Sequence, residues 1–197
     1  MNNRQFISET LDAFIKDRKY KYLIFNHLLG ESLLYSILED AGDSIKRKDV
    51  LNKISNGEWE SPQNPENFYQ SIQLSKHKEM LSSFSTQELS EMRLFKVVGY
   101  NIGFALKLRD GKFNEIVAVH NNEPEVKNIG KELVKAAIKN GGCYLDHFDG
   151  YLTPFYKSLG FDEVGRDKFD PTYDADNSFR NKYGEMDVIY RKYKNCK

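Results

Sequence analysis

Little in this chain of 197 residues staples or anchors it from outside: two cysteines, one tryptophan, five prolines and no long apolar run. The cysteines, Cys143 and Cys196, lie far apart in the sequence, one in an expected strand and one beside the C-terminus. Such a pair indicates neither a disulfide framework nor a zinc site; packing for Cys143 and a reduced, cytoplasmic setting are expected. Mean hydropathy is −0.65 and no apolar stretch is long enough to span a bilayer, so no membrane association is expected. The start, MNNRQFISETLDAF, lacks the apolar centre of a signal peptide. Net charge is missing as well. Lys and Arg total 29, as do Asp and Glu, which removes any global electrostatic case for nucleic acid. What the chain does have is rings, 12 Tyr and 13 Phe, enough for a real core.

The first half reads as helical. Leu11, Phe14 and Ile15 repeat at helical spacing, the pattern continues through Tyr20–Leu29 and Ser32–Leu38, and Ile45, Val50, Leu51 and Ile54 mark a further amphipathic segment. NGEWESPQNPEN, from Asn56 to Asn67, is a loop and a boundary. Ser85 and Glu88 form a capping box that opens a short helix.

The second half changes period. Strands are expected over Arg93–Val98, Tyr100–Leu108 and Phe113–His120, with Asp110-Gly111 turning the last two into a hairpin. A helix follows over Asn128–Asn140 and stops at Gly141-Gly142. Then come a strand (Cys143–Phe148), a helix (Leu152–Leu159), a strand from Phe161 and a last strand over Glu185–Tyr193, the two joined by the polar connection Pro171–Tyr183. The order, helices and then β-β-β-α-β-α-β-β, specifies a mixed α/β fold.

The run CYLDHFDGYLTPFYKSLGFDEV, Cys143 to Val164, carries the chemistry-bearing types. A strand delivers Asp146, His147 and Asp149 to its end, and the helix after it carries Tyr156. A phenol keeps its proton at neutral pH and can give it to a basic leaving group. Against each functional reading stands a plain one: Tyr156 as helix packing, Asp149 as a loop or capping residue, His147 and His120 as hydrogen-bonded strand ends, Glu115 as solvated. The Asp146-His147-Asp149 group lacks the second cluster that a metal site needs.

The element order, together with Phe155-Tyr156 and Gly160-Phe161, resembles the GNAT acyltransferases over roughly Gln73 to Tyr193. GYNIGFALKLRDG, NNEPEVKNIGKELVKAAIKNGG and LDHFDGYLTPFYKSLGF look more narrowly like GNAT-like proteins of bacteriophages and prophages. The resemblance implies a GNAT-like mixed sheet flanked by helices over residues 73–197, preceded by a helical region over 1–60. It further implies acetyl-CoA bound where two parallel strands splay apart, with backbone groups of Val117, Ala118 and Val119 facing the thioester. A loop ahead of the next helix, Lys127, Asn128, Ile129, Gly130 and Lys131, would hold the pyrophosphate. Asp149 falls at a CoA contact, Tyr156 at the proton donor to the departing thiolate, and His120 at a base or water-activating position.

The family's loop reads Q/R-x-x-G-x-G/A, whereas this chain reads EVKNIG: Glu125 replaces Gln or Arg, Asn128 replaces the first glycine, and only Gly130 fits. Asn tolerates the left-handed conformation such a turn needs, and Lys127 and Lys131 offset Glu125. Two functions therefore stand. One is an N-acetyltransferase acting on the amine of a small molecule or protein. The other is a non-catalytic GNAT-like module, a virion component or host-defence inhibitor, that binds a protein partner through the N-terminal helices. Acetylation of a charged tRNA is a third reading, which the balanced charge disfavours.

Overall fold

A computed structural model describes residues 42–197 except Pro62, His77, Ala175 and Lys197. The chain divides into two units, Met1–Lys46 and Arg47–Lys197, and the fold below is that of the second. The helices expected up to Leu38, and the protein interface assigned to them, lie outside the described residues.

Helix α1 spans residues 42–56, and its residues from Arg47 onward belong to this unit. It is followed by α2 (Pro65–Gln73), α3 (Thr86–Ser90), β1 (Arg93–Lys96), β2 (Ile102–Arg109) and β3 (Lys112–Asn121). Then come α4 (Gly130–Lys139), β4 (Tyr144–Phe148), α5 (Leu152–Ser158), β5 (Phe161–Asp167), α6 (Ser178–Tyr183) and β6 (Val188–Tyr193). The strands form one six-stranded mixed sheet in the order β1-β2-β3-β4-β6-β5. Helices flank it, in the GNAT-like arrangement that the resemblance implies. Among the described residues no helix is long and apolar enough to cross a membrane.

Side chains alternate across the sheet and bury two clusters. On one face Phe104, Leu106, Ile116, Leu145 and Phe161 pack with Val50 and Ile54 of α1, Leu133 and Ala137 of α4, and Tyr156 of α5. On the other, Leu94, Ala105 and Val117 pack with Phe68 and Ile72 of α2 and Leu89 of α3. α3 and α5, of five and seven residues, are too short to persist alone, so this burial is what holds them. The expected capping box at α3 is complete: Glu88 N–H donates to Ser85 Oγ, and Ser85 N–H donates to the Glu88 carboxylate.

Four features depart from the expectations. Part of the loop expected over Asn56–Asn67 is already helix, since Asn64 caps α2 by accepting from the Asn67 amide and Pro65 takes the first helical position. The polar connection Pro171–Tyr183 contains α6, whose Phe179 and Arg180 amides donate to the buried Asp174 carboxylate. The last strand, expected over Glu185–Tyr193, begins only at Val188, and its inward residues are Ile189 and Arg191. Finally, Cys143 and Cys196 are joined as a disulfide. Antiparallel pairing of β4 with β6 sets Tyr144 opposite Lys192, Tyr193 N–H donates to Cys143 O, and the turn after Tyr193 brings Cys196 back to Cys143. Nothing in a separation of 53 residues announces that contact.

Candidate functional site

The central pair of strands, β3 and β4, is parallel, and it pairs in register only at Glu115 and Tyr144. Beyond that point the two strands separate. The cause lies in β3. Between the pairs Ala105–Val117 and Gly103–His120, β2 has one residue and β3 has two, so β3 bulges at Ala118-Val119. Ala118 takes φ +51, a left-handed conformation rare for a residue with a Cβ. Across from the bulge stands Gly103, where an added Cβ would lie 2.4 Å from the Phe95 carbonyl and 3.3 Å from the His120 ring. The close approach of β1, β2 and the bulge therefore requires glycine at this position.

The gap is a cavity of about 680 Å³ running through the sheet. Ile116–Asn121 form one wall and Leu145–Phe148 the other. Asn128, Gly130, Lys131 and Val134 close it on the α4 side, with Phe155 and Tyr156 from α5. Glu79 to Ser82 reach it from the opposite face. The volume is that of a small-molecule site. Glu125 is not among its described lining residues; its charge is felt instead by Tyr100, whose hydroxyl donates to Asp49.

At the mouth, Asn128 has φ +58, so the turn expected of it forms. Asn121 Nδ2 donates to Val126 O and Arg47 Nε to Lys127 O, which pins the loop on both sides of the turn. Ile129, fully buried, precedes α4 and offers no side chain to cap it. Gly130 and Lys131, in the first turn of this helix, line the cleft, which sets the positive end of the helix dipole at its edge. That is the physical requirement for holding a phosphate.

Tyr156 is buried, with ring contacts to His147 at 5.1 Å and Phe155 at 5.2 Å. Its hydroxyl has no hydrogen-bond partner among the described residues, and burial, reinforced by the nearby Asp146 charge, pushes its pKa up to about 12. The phenol is therefore protonated at any physiological pH.

His120 also lines the cleft, but both of its ring nitrogens are engaged. Nδ1 lies 2.9 Å from Ala118 O, which can only accept, so Nδ1 carries the hydrogen. Nε2 accepts from Ser71 Oγ at 2.8 Å. Burial holds the ring neutral and lowers its pKa to about 4. It is a fixed wall group rather than a free base. His147 is likewise neutral: Nδ1 donates to Phe148 O and Nε2 accepts from Arg191 Nε. Arg191 orients it.

Asp149 is outside the described cleft lining. It accepts from Thr153 Oγ1 at 2.7 Å and from Arg166 at 2.6 Å, contacts that hold its pKa down at about 2. This fits its loop role rather than a CoA contact. Lys127 and Ile129 are also not described lining residues, so they shape the loop from behind. The structure thus brings Tyr156, His120, Val117, Ala118, Val119, Asn128, Gly130 and Lys131 to one cleft and leaves Lys127, Ile129 and Asp149 off its walls.

One wall residue lies outside the expected catalytic and cofactor set. Asp146 projects from β4 into the cleft, where desolvation raises its carboxyl above the usual range. Among the described residues no group of His, Cys, Asp and Glu could hold a metal ion. Alternation along β4 sends Asp146 to the opposite face from the buried Leu145 and His147, and that signal was available in the sequence.

No protein-family model matches the chain, and no curated protein matches it in sequence. Among solved structures, N-acetylglutamate synthase from Neisseria gonorrhoeae, determined with coenzyme A and L-arginine, aligns at 16% identity and a TM-score of 0.41. The alignment covers 70% of this chain and 32% of that one, so the chain spans about a third of its length.

Proposed function

We propose that the chain is an acyl-CoA-dependent N-acetyltransferase. The observation that carries this reading is the bulge at Ala118, which parts β3 from β4 and places an open cleft between a phosphate-suited helix start and the buried phenol of Tyr156. Asn128, Gly130 and Lys131 would hold the pyrophosphate of acetyl-CoA, and the backbone of Val117 to Val119 would face its acyl end.

Acetyl-CoA supplies a thioester: its carbonyl carbon takes the amine nitrogen, and its carbon–sulfur bond breaks. The residues act around that exchange. Backbone amides at the bulge polarise the carbonyl oxygen. Tyr156 gives its proton to the departing sulfur and regains one from solvent. Asp146, raised by desolvation, is the wall group placed to take the proton that the amine loses. His120, with both nitrogens engaged, fixes the bulge and moves no proton.

Calorimetric titration of the full chain with acetyl-CoA tests the reading. Saturable heat at micromolar cofactor supports it, and the absence of heat at millimolar cofactor retires it. The protein-binding reading assigned the partner surface to residues 1–60, most of which lie outside the described residues.

A further inference from the structure

The cleft continues beyond the sheet. A second cavity of about 880 Å³ adjoins it on the face opposite α4, and Glu79, Leu81, Ser82, Phe148 and Val188 line both. The phosphate end of a thioester donor would occupy the α4 side, so an acceptor has to approach the carbonyl from this second cavity. We propose that the cavity is the acceptor site and that it takes a small aliphatic amine bearing a second cationic group, a diamine or polyamine. The inference rests on the acyl-transfer reading for its chemistry and on the cavity's own walls for its substrate class.

Those walls are aromatic and acidic. Phe179 lies 4.7 Å from Phe148 and 6.1 Å from Phe169, with Phe84 completing the apolar lining. Rings of this kind bind cations through their faces, and here one already does, since the Arg180 guanidinium sits 5.8 Å from the Phe169 centroid. Among the described residues five carboxylates line the cavity against two lysines. What matters is which charges remain uncompensated. Glu79 is tied to Lys182 and Tyr183, and Asp174 lies near Arg180. In contrast, Asp167 accepts from the Tyr190 hydroxyl, Asp170 from Thr172 and Asp176 from the Ser178 amide. These are neutral donors: they fix the carboxylates in place and leave the negative charge. Of the lysines, Lys168 is paired with Asp187 at 3.0 Å, and Lys78 is exposed. The three aspartates, like Lys78, are exposed at the rim of the cavity, where they draw cations toward an opening whose aromatic walls can hold them.

The chemistry balances without another reactant. The reacting ammonium first loses one proton to water; its nitrogen then bonds to the acyl carbon, gives a second proton to Asp146, and the carbon–sulfur bond breaks. The sulfur leaves as a thiol, with the proton from Tyr156. The far ammonium stays protonated and provides the binding.

Three acceptors with one four-carbon chain separate the outcomes: 1,4-diaminobutane, butylamine and 4-aminobutyrate, whose far ends are positive, neutral and negative. The measurement is thiol release from acetyl-CoA by the full chain. The expected order of kcat/KM is diamine, then monoamine, then amino acid, with about tenfold or more between the extremes. Replacing Asp167, Asp170 and Asp176 together with Asn keeps each acceptor oxygen and removes the charge. The ratio of diamine to butylamine turnover then collapses toward one, and a ratio is insensitive to general loss of folded enzyme. If 4-aminobutyrate equals or exceeds the diamine, the inference is overturned while the acyl-transfer reading stands. If acetyl-CoA does not bind at all, that reading falls, and titration of 1,4-diaminobutane into the full chain decides the cavity alone. Binding that weakens in the triple Asn variant upholds a cation site; no binding overturns it. Should the triple variant fail to fold, Asp167→Asn alone gives the same comparison.

Discussion

Ser71 Oγ donates to His120 Nε2 at 2.8 Å, and this bond, with the one from Asn122 Nδ2 to Ser71 O, ties α2 to the end of the strand whose bulge opens the cleft. Phe68, on the same helix, meets the imidazole edge-on at 5.2 Å. His120 is thereby a neutral structural pin, and its titration reports on folding.

Folding depresses the His120 pKa from about 6.5 to about 4. The unfolded chain therefore binds a proton in that window and the folded chain does not, so stability present above pH 6.5 is lost as pH falls toward 4. One such group contributes up to about 3 kcal/mol across the window. Denaturant midpoints measured from pH 7.5 to 4 should fall for the wild type and fall less for His120→Gln. Equal slopes would remove His120 as the cause. Asp149 and Glu79, both held near 2, lose their contributions lower still, as pH falls from about 4.5 toward 2.

Tyr156→Phe removes a hydroxyl that has no hydrogen-bond partner among the described residues, so the fold loses little. Acetyl transfer should drop about 100-fold in kcat, with acetyl-CoA affinity by calorimetry unchanged. A variant that turns over like the wild type assigns Tyr156 to packing with His147 and Phe155.

Asn128 holds φ +58 at the start of the loop before α4. Glycine adopts that conformation freely, and a β-branched residue does not. Asn128→Gly is expected to keep acetyl-CoA binding and stability. Asn128→Val should cost about 1–2 kcal/mol of stability and weaken binding at least tenfold. Thermal melts with and without acetyl-CoA read both effects, and equal behaviour of the two variants would detach the turn from binding.

The Cys143–Cys196 bond closes a loop that contains β4, α5, β5, α6 and β6. A loop of this size limits the unfolded ensemble by up to about 4 kcal/mol. Thiol titration in denaturant should find no reactive cysteine before treatment with a dithiol reductant and two after it. Reduction should lower the melting temperature by several degrees. Two reactive thiols without reductant would show that the bond does not form in the protein as isolated.

Much of the cleft was legible because its parts are local. Asp110-Gly111, at φ +51 and +76, makes the β2–β3 hairpin from two adjacent residues. Gly160, at φ +88, ends α5 where the sequence placed a stop, and Phe155-Tyr156 sit one turn earlier on the buried face. Asn128 as a stand-in for glycine could be read from one residue's conformational range. Asp149 could not, because its partner Arg166 lies on the next strand, 17 residues away. Nor could His120, since the helix that supplies Ser71 fell partly in a stretch with the composition of a loop.

Period, turn residues and caps thus determined by themselves that the chain is a mixed α/β fold with Tyr156 on a short helix after a central strand, because each is set by neighbours within one or two turns. Only the tertiary structure decided that β3 bulges opposite Gly103, that Cys143 meets Cys196, and that the loop around Glu79 joins β5 and α6 to enclose a second cavity. Those facts depend on which distant segments come into contact, and a contact between segments is a property of the packed chain rather than of either segment.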